Sequence, residues 1–244
     1  MNKLGIISLS SLLFFACNQQ NKETVEVSVY NATKAENVIV PQIISDTVFT
    51  FENYKTNELP LNWSQYATGK KKETEWKVLN YKGSNVLAQL SSDNPNYHFN
   101  VVVFDKFQAK NVELKVRMKG IEGSMDMGGG FVWRFTDANN YYVVRANPLE
   151  DNVVLYKVVD GRRTDLPLVG KGKTYGVDDV TLGGGWNTLK LKVVGDLFTV
   201  YLNDKEIFQV KDNTFENSGK VGLWTKADAV TYFDEFEVRK FGEL

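Results

Sequence analysis

The chain has one cysteine, one histidine, five prolines and no excess of either charge. Each shortage removes a class of function. A lone thiol, Cys17, cannot close a disulfide within the chain or build a zinc–thiolate cluster. The lone histidine, His98, sits in the alternating run Tyr97-His98-Phe99 with no signature that sets a serine nucleophile beside it. A Ser-His-Asp mechanism therefore has no support, and a structural or surface role is expected. With 29 basic against 30 acidic residues there is no basic stripe to neutralise phosphates, and nucleic acid is not an expected partner. The scarcity of proline and the lack of low-complexity tracts argue against extended disorder. No long segment carries a helical apolar period, so helices are expected to be minor.

What the chain has in quantity is strand-forming sequence. Hydrophobic residues make up 43% of 244 and aromatics 13%, ample for one core, and all-β sandwiches reach this length as a single unit. From Gly128 to Leu166 the sequence GGGFVWRFTDANNYYVVRANPLEDNVVLYKVVDGRRTDL reads as consecutive strands punctuated by TDANN, NPLEDN and VDGRR. Val112, Leu114, Val116 and Met118 alternate with Glu113, Lys115 and Arg117, so one face of that strand is wet. The first core strand is expected over Thr47 to Phe51, then a long loop through Pro60 and Trp63, with about twelve strands overall. The runs Gly128-Gly129-Gly130 and Gly183-Gly184-Gly185 precede strands. Phosphate cradles need a helix N-terminus, so both runs are read as turns.

The same stretch, together with GGGWNTLKLKV, FTVYLND and GKVGLWTKADAVTYFDEFEV further on, resembles the laminin-G-like family called the 3-keto-disaccharide hydrolase domain, loosely grouped with family 16 glycoside hydrolases. The likeness covers Asp46 to Val238. It implies an all-β, concanavalin A-like jelly-roll sandwich of two antiparallel sheets and, through the family's name, cleavage of 3-keto-glycosides. The family 16 pattern Glu-x-Asp-x-x-Glu is absent from the chain. If the chain is an enzyme, it is a glycoside-cleaving one of another type.

At the N-terminus, Lys3 is followed by an apolar run from Leu4 to Phe15 and then Ala16-Cys17. This resembles a bacterial lipoprotein signal peptide. The run is too short for a permanent span, which needs roughly 20 residues. Cleavage before Cys17 and its lipidation are expected, and Asn18 in place of aspartate favours the outer membrane of the cell envelope. The expected organisation is a signal peptide over 1–16, a lipidated tether and lead-in over 17–44, and a laminin-G-like sandwich over 45–244.

If TDANN closes a hairpin with Thr136 opposite Tyr141, then Arg134, Tyr141, Arg145 and Asn147 share one face. Phe131, Trp133, Phe135, Tyr142, Val144 and Ala146 then form the core face. Two cations, an amide and a phenol suit a hydroxyl-rich ligand, whereas a solvated face with local ion pairs is the plainer alternative. Glu150 and Asp151 in the following loop can take sugar hydroxyls, hold Ca²⁺, or clamp Arg145. Trp224, Lys226 and Asp228 in LWTKAD are either a second sugar-binding cluster or a core tryptophan before an exposed turn. Asp234 shares parity with Tyr232, Phe236 and Val238, so it is expected to point inward with a structural partner. A Ca²⁺ site with Glu52 is the remoter option, and no cofactor other than such a structural calcium is expected. Glu235 and Glu237, ~7 Å apart along a strand, have a spacing open to two-carboxylate glycosidases. Arg239 continues the same polar row with no aromatic platform, so a solvated face is expected there.

Three readings of function stay open. The first is a lipid-anchored cell-envelope module that binds carbohydrate on one sheet face. The second is a sugar-active hydrolase or lyase of the 3-keto-disaccharide hydrolase type, and the third is a structural or protein-binding envelope module. A lectin-like module needs only hydroxyl-matching groups and a ring, whereas an enzyme needs a convergent acid and base. The sequence displays the former.

Overall fold

The computed structural model describes residues 41–71 and 73–242. The expected signal peptide, Cys17 and the tether as far as residue 40 lie outside the described residues. Among the described residues there are fifteen strands and no helix. One sheet runs in the order β13 (Lys205–Lys211), β12 (Leu197–Leu202), β11 (Asn187–Val194), β6 (Val112–Glu122), β15 (Val230–Phe241), β4 (Ser84–Gln89) and β3 (Trp76–Tyr81). In this first sheet β1 (Ile43–Phe49) pairs with the later half of β15, beyond the residues that pair with β4. The second sheet runs β10 (Arg162–Asp165), β9 (Asn152–Val159), β8 (Asn140–Asn147), β7 (Gly129–Asp137), β14 (Gly219–Lys226), β5 (Phe99–Ala109) and β2 (Trp63–Thr68). Neighbouring strands are antiparallel throughout, as expected for a sandwich of two antiparallel sheets.

Period-two alternation turns one face of each sheet inward. Leu114, Val116, Leu189, Leu191 and Val200 of the first sheet pack with Val102, Phe131, Trp133, Val144 and Leu223 of the second in one buried cluster. Several strand expectations need correction. β1 begins at Ile43, ahead of the expected domain start at 45, and the expected loop at Trp63 is β2. In β2 polar and apolar residues occur on both faces, so no period was legible. Gly129 and Gly130 lie inside β7, not in a turn. A Cβ at Gly130 would lie 1.9 Å from the Val144 carbonyl oxygen, so close backbone approach requires the glycine.

The second sheet also has a core on its other face. Phe99, Val101, Val132, Tyr141, Val143, Tyr156 and Trp224 form a separate buried cluster there. The sheet curls diagonally to achieve this. Four strand spacings separate β2 from β8, about 19 Å in a flat sheet, yet Thr68 Oγ1 lies 2.8 Å from Tyr141 Oη. Likewise, Tyr97 Oη beside β5 donates to the Gly161 carbonyl at 3.3 Å and accepts from the Arg163 N–H of β10 at 2.6 Å. The concave face is thus filled by its own aromatic side chains.

Two bulges overturn the expected parities. Trp133 pairs with Tyr142 but Asp137 pairs with Asn140, so β7 carries extra residues between them. Arg134 there takes φ 47°, a left-handed conformation costly for a side-chain-bearing residue. The bulge exchanges the two neighbours. Phe135 joins the concave cluster, and Arg134 turns away from Arg145. In β15 the pairing with β6 shifts between Asp234 and Glu237, and Glu235 takes φ 48°. Phe233 and Phe236 both reach the core while Asp234 sits beside Arg117, Nη1 to Oδ2 3.6 Å. Asp234 is therefore buried and has a structural partner, but on the Arg117 face of β6, because the bulge takes it off the parity of Phe236 and Val238.

Candidate functional site

At one end of the concave face β8 presents Arg145 and Asn147, separated by one residue and both buried. Arg145 stands opposite Gly130 of β7, which in turn pairs with Trp224 of β14. The absence of a side chain at Gly130 lets the β8 backbone at Val144 and Arg145 approach β7 closely. Taking a guanidinium out of water costs several kcal/mol unless partners compensate. Arg145 is 1% exposed. Its Nη2 donates to Glu150 Oε2 at 2.7 Å and to Tyr156 Oη at 3.4 Å, and its Nη1 donates to Asn152 Oδ1. Burial opposes its charge, but Tyr156, Asp126 and Glu150 outweigh it and hold Arg145 above its ordinary pKa. Burial also opposes the Glu150 charge, and Arg145 outweighs that in turn, holding the carboxyl below its ordinary range.

The β6–β7 connection supplies the second half of the cluster. Asp228 accepts from the Ser124 N–H at 2.7 Å, the Met125 N–H at 3.0 Å and the Asp126 N–H at 3.0 Å. Despite burial, these backbone donors and the Ser124 hydroxyl bring its pKa down to about 2. The bend so fixed delivers Asp126, fully buried, to Lys226 Nζ at 3.3 Å. Positive and negative groups thus alternate around Arg145. Tyr156 Oη donates to Tyr175 Oη at 3.0 Å at the rim, and the Arg163 guanidinium lies 4.4 Å above the Tyr156 ring and 4.9 Å above Phe99.

Three buried donors of these guanidinium and amide groups have no acceptor: Arg145 Nε and Asn147 Nδ2 on β8, and Arg163 Nη1 over the Tyr156 ring. Asn147 Oδ1 is occupied by the Met127 and Leu149 N–H groups, so only its amide nitrogen is left over. Buried orphan donors are uncommon and each costs ~1–3 kcal/mol unless a water or another oxygen supplies the acceptor.

The sequence candidates divide accordingly. Arg145, Asn147, Glu150 and Lys226 belong to the cluster, and Asp228 shapes it from behind. Trp224 and Tyr141 are buried in the concave core, with Tyr141 bonded to Thr68. Asp151 accepts from the Leu182 N–H at 3.0 Å as a loop clamp. Arg134 is elsewhere. Its guanidinium donates to the Lys110, Gly195 and Phe215 carbonyls and stacks 5.5 Å over Phe198. Glu52 accepts from the Asn85 N–H at 3.1 Å, and among the described residues no group of three or more His, Cys, Asp or Glu could hold a metal ion. Asp126, Asn152, Tyr156, Arg163 and Tyr175 were not singled out from sequence. Tyr156 could have been found by continuing the strand register one strand further, since Val143 pairs with Tyr156.

Residues 57–239 match the model of the 3-keto-alpha-glucoside-1,2-lyase-like domain. The chain belongs to that family. The match includes the whole Arg145 cluster of this lyase-like domain. Among solved structures, carbohydrate-binding module CBM66 from Bacillus subtilis is similar at TM-score 0.55 and 18% identity, covering 77% of this chain and 99% of that one. Domain 4 of AbnA, a GH43 extracellular arabinanase from Geobacillus stearothermophilus, solved in complex with arabinotriose, is similar at TM-score 0.50 and 13% identity, covering 84% and 95%. The GH43 BlXynB protein from Bacillus licheniformis is similar at TM-score 0.53 and 15% identity over 79% of this chain and 39% of that one. These likenesses establish the fold, that of carbohydrate-binding modules and glycosidase-related domains. No curated protein sequence matches the chain.

Proposed function

We propose that the chain is a lipid-anchored cell-envelope module that binds carbohydrate at the Arg145 end of the curled sheet. The observation that carries this reading is the pair of buried, unpartnered donors, Arg145 Nε and Asn147 Nδ2, neighbours on one strand face. Sugar oxygens supply the acceptors they lack, and the half-exposed Tyr175 offers a ring at the rim. The fold shared with a carbohydrate-binding module and with an arabinotriose-bound domain supports the same ligand class. For the anchor, the support is the apolar run ending at Ala16-Cys17, which also favours the outer membrane.

Family membership favours a second reading. A 1,2-elimination from a 3-keto-glucoside needs a base for the proton at C2, made acidic by the neighbouring carbonyl, and a cation for the developing enolate. Glu150 and Arg145 have those chemical types. Glu150, however, is held in its ionised form by Arg145 and is therefore a weak base, which ranks binding ahead of turnover.

Titration of the chain with arabinotriose and with a panel of 3-keto-glycosides tests both readings. Saturable binding, weakened ~10-fold or more by Tyr175→Ala or Arg145→Met, is the expected result. Tyr175 is 48% exposed, so its variant keeps the fold. Product release abolished by Glu150→Gln would replace binding with catalysis, and no binding to any member of the panel would end both.

A further inference from the structure

On the outer face of the first sheet, away from the Arg145 cluster, three aromatic rings from separate elements meet. Tyr81 ends edge strand β3, Tyr232 lies on β15, and Trp186 precedes β11. The Tyr81 ring centroid lies 5.2 Å from Tyr232 and 6.4 Å from Trp186, and all three rings are partly exposed. Cations surround them. Lys119 Nζ donates to Tyr81 Oη at 3.1 Å, Lys82 Nζ lies 5.5 Å from the Tyr81 centroid, and Arg117 stacks 5.0 Å from Trp186.

The charges are not balanced. Arg117 is paired with Glu235 at 2.8 Å and lies near Asp234. Among the described residues, neither Lys82 nor Lys119 has a carboxylate within 4.0 Å. A hydrogen bond from Lys119 draws the Tyr81 phenol below its ordinary pKa.

The loop beside Trp186 adds an independent observation. Gly183, Gly184 and Gly185 are exposed, none has a positive φ, and a Cβ on any of them would meet nothing within 4 Å. Neither backbone conformation nor close packing requires glycine there, although each costs conformational entropy on folding. Their effect is to keep the ground beside the Trp186 ring free of side chains.

We propose that this platform is a second carbohydrate-binding site, selective for acidic oligosaccharides that carry uronate carboxylates. A pyranose ring has an apolar face to lay on Trp186 and Tyr232, and its carboxylate complements the two unpaired ammonium groups. The site does not depend on the Arg145 cluster.

The test is calorimetric titration of the chain with an oligogalacturonate and with its methyl ester, which has the same rings without the charge. Binding of the acid that falls steeply with added salt, and binding of the ester weaker by ~10-fold or more, are expected. Lys82→Gln and Lys119→Gln should each weaken it several-fold at an unchanged melting temperature, and Trp186→Ala should abolish it. Arg145→Met should leave it intact. Equal affinity for acid and ester overturns the proposal, as does binding lost through Arg145→Met. A Trp186→Ala variant that only melts earlier, while the two lysine variants bind like wild type, would show a structural staple instead.

Discussion

Two aspartates, six residues apart in sequence, sit in opposite electrostatic situations. Asp228 accepts several backbone N–H groups, and its pKa falls from an ordinary 3.8 to about 2. A carboxyl lowered on folding contributes stability above its unfolded pKa and loses it as pH falls through the folded one. That contribution should therefore disappear between about pH 4 and pH 2. Asp228→Ala should lower stability at neutral pH by ~1–3 kcal/mol, the scale for stranding buried donors, and flatten the acid limb of the stability curve. Asp234 is raised instead, by burial first and by the nearby Glu235 charge, against the Glu235 N–H and Arg117. The sign reverses: its ionisation costs stability as pH rises through the raised value. Asp234→Asn should then be at least as stable as wild type at pH 7. Denaturant midpoints of both variants across pH 2 to 8 decide the matter, and parallel curves for Asp228→Ala and wild type would remove Asp228 from this role.

At the level of strands, the bulge in β7 decides what each neighbour does. Arg134 is taken out of the concave face and inserted among the Lys110, Gly195 and Phe215 carbonyls, where it ties three chain segments together. Arg134→Ala should lower stability by ~2–3 kcal/mol, as expected when more than one buried carbonyl loses its donor. Affinity for arabinotriose should stay unchanged. A variant that melts like wild type but binds less would return Arg134 to the ligand site. The same bulge explains the limit of sequence reading. Strict alternation correctly placed Trp133, Tyr142, Val144 and Ala146 in the core and Arg145 and Asn147 on the opposite face. It misplaced Arg134 and Phe135 because an inserted residue leaves no trace in a polar and apolar pattern. Strand periodicity and turn residues made the all-β character legible, and the resemblance carried by the segments from Gly128 to Arg163 and beyond implied the two-sheet architecture. Asp126, Arg163 and Tyr175 were not, because they reach the site through loops and a diagonal curl that no local period encodes.

For the molecule as a whole, the curl of the second sheet is held by few polar ties, so it can be probed one tie at a time. Tyr97→Phe removes the hydroxyl that joins Gly161 and Arg163 to the start of β5. Amide exchange at Arg163 and along the β9–β10 hairpin should accelerate, while the β6 and β11 amides in the other sheet stay protected. Unchanged exchange at Arg163 would mean that packing alone holds the curl. The first sheet is organised differently, around a strand made late. β15 pairs with β6 along one edge and with β4 and then β1 along the other, so Phe236 meets Phe49 and Phe233 meets Leu87. Without Val230–Phe241 that sheet is separate fragments with no strand pairing between them. A ribosome that has delivered everything before Val230 has delivered no complete sandwich, however long it pauses. Such contacts between distant parts of the sequence also slow folding. The first sheet therefore closes only once β15 is made, so a chain truncated before Val230 should keep the second sheet's hairpins without the joined first sheet.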